Sequence, residues 1–207
     1  MKRKLASKRL VFLRGERVIL RPLCVETDLE IATRWINDPD IRQYVLAHLP
    51  MSRESEKEWL ERAAKGGGTD IILAIEMLDG KLIGTIGLHR INWKDGTATT
   101  GTIIGDEADR GLGYATEAKM LILEYAFNEL GLRKICSGAL AFNDRSFNYS
   151  LRCGYQIEGR LRRQFLKRGT YCDEVILGVF RDEWLAARER WRAEQKDRNG
   201  KNAKRPQ

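Results

Sequence analysis

Histidine is nearly absent from this 207-residue sequence, which has only His48 and His89. Its four cysteines, Cys24, Cys136, Cys153 and Cys172, stand apart. No Cys-x-x-Cys pair occurs, so the usual spacing of a zinc site is missing and no metal is expected. Scattered thiols fit reduced cysteines and a cytoplasmic location better than a disulfide framework. No apolar run approaches the roughly 20 residues of a membrane helix, so no membrane insertion is expected. The start, MKRKLASKRLVFLRGE, has the charge of a signal peptide without its long apolar segment.

Hydrophobic residues make up 43% of the chain and charged residues 32%, enough apolar material for one globular domain with a real core. The net charge of +8 is uneven. Residues 1–21 carry eight Lys/Arg against one acid, residues 181–207 carry nine against five, and the stretch between is slightly acidic. Basic ends argue against a nucleic-acid-binding core. Arg160, Arg162, Arg163, Lys167 and Arg168 could serve RNA or a ribosome, but they read first as solvated hairpin charge.

The most informative stretch is Gly105 to Ala126, GDEADRGLGYATEAKMLILEYA. A β-branched run, Thr97 to Ile104, precedes it. Ala115, Ala118, Leu121, Ile122, Tyr125 and Ala126 then fall on one helical face. The order is strand, Gly-rich turn, helix start. Free N–H groups and a partial positive charge at such a start cradle phosphate. The dinucleotide fingerprint needs a third glycine where Thr116 stands, and the Walker pattern is absent. A tight turn before a helix remains the plain alternative.

Around it, Val18 to Leu23 reads as a strand. Thr27 or Asp28 can cap a first helix, stopped by Asn37-Asp38-Pro39. Ser52 opens a second helix, closed by Gly66 to Gly68. Ile71 to Met77 and Lys81 to Leu88 form a hairpin about Asp79-Gly80. Gly131 ends the central helix, and Leu132 to Leu140 reads as a buried strand. Asn143 opens a short helix, and Tyr155 to Phe165 and Tyr171 to Phe180 make a final hairpin. Trp184 and Trp191 mark a helix over 183–195. Residues 1–14 read as a basic extension and 196–207 as a disordered basic tail.

Arg110, Gly113 and Ala115 meet the pattern Arg/Gln-x-x-Gly-x-Gly/Ala, which resembles the acetyl-CoA pyrophosphate loop of the GCN5-related N-acetyltransferases (GNAT). "RGLGYATEA" is most similar to the RimJ/RimL-like branch that acetylates ribosomal-protein N-termini, and to relatives acting on polyamines and sugar amines. Asn143-x-x-Ser146 followed by Gly154-Tyr155 resembles the family's second cofactor segment. The resemblance covers residues 15–182. It implies a mixed α/β fold with a central sheet splayed where the thioester enters.

The resemblance also implies direct transfer of an acetyl group from acetyl-CoA to a primary amine. Ile103, Ile104 and Gly105 would bond the pantetheine. Arg110, Gly111, Leu112, Gly113, Tyr114, Ala115 and Thr116 would hold the pyrophosphate. Asn143 would touch the pantetheine, and Arg145 the nucleotide end. Thr99 stands where many relatives carry a Glu that draws a proton, and Ser150 stands where many carry a Tyr acid. Ser146, Ser150 and the neighbouring Tyr149 are the candidate acids. The missing Glu tilts the acceptor towards a weakly basic α-amine. A polyamine or amino sugar, or a silent acyl-CoA-binding module, are the alternatives. Relatives often pair, so a homodimer is possible.

Overall fold

The computed structural model describes residues 10–203. The first nine residues of the expected extension and the last four of the expected tail lie outside the described residues. The strands are β1 (Leu13–Arg14), β2 (Val18–Pro22), β3 (Ile71–Met77), β4 (Leu82–Asn92), β5 (Thr97–Ile104), β6 (Lys134–Leu140), β7 (Gln156–Lys167) and β8 (Thr170–Phe180). The helices are α1 (Val25–Asn37), α2 (Pro39–Arg42), α3 (Arg53–Lys65), α4 (Tyr114–Asn128), α5 (Asp144–Arg152) and α6 (Arg181–Ala203).

All the strands form one sheet in the order β1-β2-β3-β4-β5-β6-β8-β7. Alternating side chains give it two apolar faces. On one face, Leu73, Ile86, Leu88, Ile135, Leu177 and Val179 pack with Ala118, Ile122, Leu123 and Ala126 of α4 and Trp184 of α6. On the other, Ala74, Leu82, Ile72 and Ile103 pack with Leu29, Trp35 and Leu60 of α1 and α3. Trp184 is thus part of the chain's own core, tilted against Phe127 at 5.6 Å between ring centroids.

Local chemistry accounts for most element ends. Ser52 caps α3 by accepting from the Ser55 N–H. Pro39 stops α1 and opens α2, where its fixed φ and missing N–H are harmless. Gly80 at φ +104 turns the β3–β4 hairpin. The β7–β8 turn uses Arg168 and Gly169, both at positive φ, as a two-residue primed turn requires.

Three boundaries depart from the sequence reading. The sheet starts before residue 15, because Leu13 and Arg14 pair with Leu20 and Ile19. Helix α1 begins at Val25 rather than at Thr27 or Asp28, because the Asp28 carboxylate reaches back to the Cys24 N–H at 2.8 Å. The last helix runs from Arg181 to Ala203, beyond the expected end at 195 and into the expected tail. Residues 181–195 are rich in Arg, Glu and Ala, which are good helix formers, and the helix they start propagates into the poorer formers beyond.

The sheet opens at its centre. β5 and β6 run parallel and pair only at Thr97–Lys134, Ala98–Ile135 and Thr99–Cys136. Beyond Thr99 they diverge, because β6 stays bonded to β8 while β5 stays bonded to β4. β5 is left with an unpaired edge facing the gap.

Candidate active site

Which backbone groups line the gap follows from the β4–β5 register. The Gly105 N–H donates to the Ile83 carbonyl at 3.0 Å, so Gly105 faces β4. Backbone direction alternates along a strand, so Gly101 and Ile103 face β4 as well. Thr102 and Ile104 turn their N–H and C=O into the gap. Of the three expected pantetheine residues, only Ile104 has the right direction. Gly105 has a different role, because a Cβ there would overlap the Trp35 indole of α1.

The turn after β5 is pinned at four points. Asp106 accepts from Trp35 Nε1 at 3.1 Å and Arg34 Nη2 at 2.8 Å. Buried Asp109 takes both bonds from Lys81, at 2.7 and 2.8 Å. Arg17 donates to the Leu112 carbonyl at 2.8 Å and lies over the Tyr114 ring. Arg110 folds back onto the Ile104 carbonyl at 3.2 Å and onto that of Gly105. Its side chain therefore braces the end of β5, a task its expected role as a phosphate ligand did not include.

Gly111 and Gly113 have φ +75 and +88, which glycine adopts without strain. Nothing lies within 4 Å of where a Gly111 Cβ would stand. Helix α4 follows with no side chain capping it. Its first turn leaves the N–H groups of Tyr114, Ala115 and Thr116 without helical partners. Buried Glu117 accepts from Arg17 Nε at 2.9 Å and the Arg17 N–H at 2.8 Å, fixing the helix start against β2. A pyrophosphate fits this open, donor-rich start, and an extended amide arm fits the Thr102–Ile104 edge.

Across the gap, Asn143 caps α5 by accepting from the Ser146 N–H at 3.1 Å. Arg145, Asn143, Glu107, Arg110, Tyr44 and Phe142 line a mouth of about 430 Å³. Among the acid candidates, Ser146 and Tyr149 are half-buried, but Ser150 is fully enclosed. Lys119 Nζ donates to its Oγ at 3.4 Å. Lys119 itself is fully buried, with its ammonium over the rings of Tyr149 (4.3 Å) and Tyr155 (4.7 Å). The Tyr155 hydroxyl bonds the Thr100 hydroxyl at 2.8 Å where the strands part. Burial pushes the Tyr155 hydroxyl well above its ordinary pKa and the Cys153 thiol up to about 12, so both stay protonated.

The opposite face of the fork joins Thr99 to His89 and Arg90, which the sequence reading missed. Thr99, His89 and Gly101 share the face of α1 and α3. Arg90, forced to φ +52 by a bulge in β4, donates to the Thr99 hydroxyl at 3.3 Å. The His89 ring lies across Gly87 and Gly101, with Nδ1 3.8 Å from an Asp70 oxygen. Burial lowers the imidazole pKa below its usual 6.5 and Arg90 adds to this, while Asp70 opposes it. The Glu174 carboxylate stands over Gly138, and burial raises its pKa. Only the register across β4, β5, β6 and β8 brings these residues together. Two glycines facing a lone histidine was the available signal, and it needed that register to be read.

Among the described residues no helix is long and apolar enough to cross a membrane, and no cluster could hold a metal ion. Residues 17–156 match the family described as the acetyltransferase (GNAT) domain. The uncharacterized N-acetyltransferase YoaA of Bacillus subtilis is 31% identical over 172 residues, covering 81% of this chain and 95% of the relative. The spermidine N(1)-acetyltransferase of Escherichia coli K12 is 30% identical over 108 residues, covering 52% of this chain and 58% of the relative. A crystal structure of the Vibrio cholerae spermidine N-acetyltransferase with CoA and spermine superposes with a TM-score of 0.76 at 24% identity, covering 83% of this chain and 99% of that one. A gap with a free strand edge, an uncapped glycine-led helix start and these matches make this chain a member of the GNAT family, an acetyl-CoA-dependent N-acetyltransferase.

Proposed function

We propose that the acceptor is a primary amine of low basicity, of the kind found at a protein N-terminus. One observation carries this reading. Where the amine reaches the fork it meets the Arg90 guanidinium on Thr99, with no carboxylate at that strand position. A polyamine would bring two or more extra charges towards this cation. A singly charged amine meets less repulsion. Basicity points the same way. An α-amine of pKa near ~7.8 is about a quarter neutral at cytoplasmic pH, whereas an amine near ~10.4 is neutral about one part in a thousand. The wide mouth between Tyr44 and Arg145 leaves room for a peptide. The resemblance of "RGLGYATEA" to the branch acting on ribosomal-protein N-termini agrees with this.

When bound, acetyl-CoA supplies the acyl group as a thioester. The chain's own residues align it along Thr102 and Ile104, hold its phosphates at Gly111 to Thr116, and place Asn143 and Arg145 on the far side. Alignment of two reactants supplies much of the rate in such a reaction. Ser146 and Tyr149 are the side chains of α5 open enough to protonate the leaving thiolate.

A polyamine acceptor is the second reading. The Escherichia coli relative bears that activity in its name, and the carboxylates of Glu174 and Glu158 share the acceptor face. Glu158 is bonded to Lys134 at 2.7 Å, which offsets its pull on a polycation. The test is thiol release from acetyl-CoA with Ala- and Ser-initiated peptides, spermidine and glucosamine at equal concentration. Higher kcat/KM for the peptides supports the α-amine reading. Higher kcat/KM for spermidine replaces it with the second. A homodimer, for which the edge strand β7 offers a pairing surface, is checked in the same samples by light scattering.

A further inference from the structure

We propose that His89 is the general base of this transferase, a role the strand carboxylate fills in many relatives and Thr99 leaves open here. The proposal rests on the reading that the amine approaches the fork from the face of α1 and α3. Its foundation is steric. A Cβ at Gly87 would stand 2.8 Å from His89 Nε2, and one at Gly101 would stand 3.2 Å from it. Two glycines on neighbouring strands thus clear the floor on which the ring lies. Gly87 and Gly101 are cross-strand partners. Gly101 is the second residue past the last β5–β6 pair. Nε2 therefore sits over the β4–β5 pair beside the point where the gap begins, on the acceptor side.

The ring has the surroundings a base needs. Its side chain is 35% exposed, so an incoming amine can reach it. The charged groups facing it are Asp70, from the loop before β3, and Arg90, next to it on β4. Asp70 is held by the Arg90 N–H at 2.8 Å, leaving its carboxylate beside Nδ1. The Asp70 charge, 3.8 Å from Nδ1 and beyond hydrogen-bond reach, favours the tautomer with its proton on Nδ1 and its lone pair on Nε2. Burial keeps the ring neutral at pH 7, the form that accepts a proton.

The step balances without any further reagent. The amine nitrogen bonds to the acetyl carbon, the carbon–sulfur bond breaks, and the amine's proton passes to Nε2. The thiolate takes a proton from Ser146 or Tyr149, which water restores, and the imidazolium returns its own to solvent. An imidazole below pKa 6.5 takes a proton from an ammonium near ~7.8 with a penalty of at least about 20-fold, and from one near ~10.4 with at least about 8,000-fold. A histidine base therefore belongs with a weakly basic acceptor.

The test uses the full chain with acetyl-CoA and, separately, an Ala-initiated peptide and spermidine as probe amines. His89→Gln is expected to lower kcat about 100-fold, to leave acetyl-CoA affinity by calorimetry unchanged, and to reduce the acid limb of kcat/KM from two protonations, of amine and imidazole, to that of the amine alone. In His89→Ala, added imidazole is expected to restore rate in proportion to its free-base concentration. Gly101→Ala crowds the ring and is expected to lower kcat with no change in acetyl-CoA affinity. A His89→Gln enzyme within threefold of wild type, with the same acid limb and no imidazole rescue of His89→Ala, overturns the base. If wild-type protein turns over neither amine, the acceptor reading fails and the base falls with it. If wild type is active and the variants match it, only the base fails.

Discussion

Gly105 lies against the face of the Trp35 indole, so closely that a methyl group on it would occupy the ring. This contact sets how α1 meets the end of β5, and the indole N–H then fixes Asp106 at the head of the phosphate turn. Gly105→Ala should push α1 away. Overpacking of this kind costs about 1–3 kcal/mol, or roughly 2–12 °C in melting temperature for a domain of this size. Differential scanning calorimetry checks it. An unchanged melting temperature would show that Trp35 moves freely.

Gly113 presents a different case. Its φ of +88 disfavours any side chain by about 1–2 kcal/mol, and a Cβ would stand 3.2 Å from Arg17 Nη2. Gly113→Val should reshape the helix start while the sheet remains intact. Acetyl-CoA affinity should fall more than about tenfold, 1.4 kcal/mol or more, with far-ultraviolet circular dichroism unchanged. Equal affinity would move the pyrophosphate elsewhere.

Lys119 is a buried cation held by one hydroxyl and two aromatic rings. Its desolvation is weakly compensated, so Lys119→Met should match or exceed wild type in urea stability. Lys119→Ala, which leaves a cavity, should lose about 2–4 kcal/mol. Ser150→Ala removes only the 3.4 Å bond from Lys119. Turnover should then stay within about threefold, under ~0.7 kcal/mol in barrier. A larger loss would restore Ser150 as the acid.

The buried Arg21 bonds Asp28 through two bonds of 2.8 Å and Glu76 at 2.5 Å, tying α1 to β2 and β3. Burial pushes the Asp28 carboxyl pKa up, but bonds from Arg21 and the Cys24 N–H outweigh it and leave the pKa lowered. A depressed carboxyl stabilises the fold above its unfolded pKa near ~3.9 and loses that contribution as pH falls through the folded value. Asp28→Asn should cost about 3 kcal/mol at pH 7. The gap to wild type should narrow below pH 4. Urea titrations at both pH values check this, and a constant gap would contradict the linkage.

Local signals carried the sequence reading furthest where chemistry is local. The Asp79-Gly80 turn, the Ser52 cap and the run from Thr97 through Gly113 into α4 all stand as read. The reading lost ground wherever two strands had to be registered. Ile103 and Gly105 looked equivalent to Ile104 in sequence, yet alternate residues face opposite strands. Lys119 is not among the residues that the sequence placed on one helical face, yet it is buried, because α4 is enclosed by the sheet, α5 and α6 and its buried face is wider than one stripe. His89 carried no local signal, since its place over Gly101 exists only once β4 and β5 are paired.

The central claim is that acetyl-CoA lies along the free edge of β5 where β6 departs. Amide exchange by nuclear magnetic resonance, with and without acetyl-CoA, tests it residue by residue. Thr102 and Ile104, whose N–H groups face the gap, should gain protection on binding. Gly101 and Ile103, already bonded to β4, should change little. Protection that falls equally on all four, or on none, would contradict the placement.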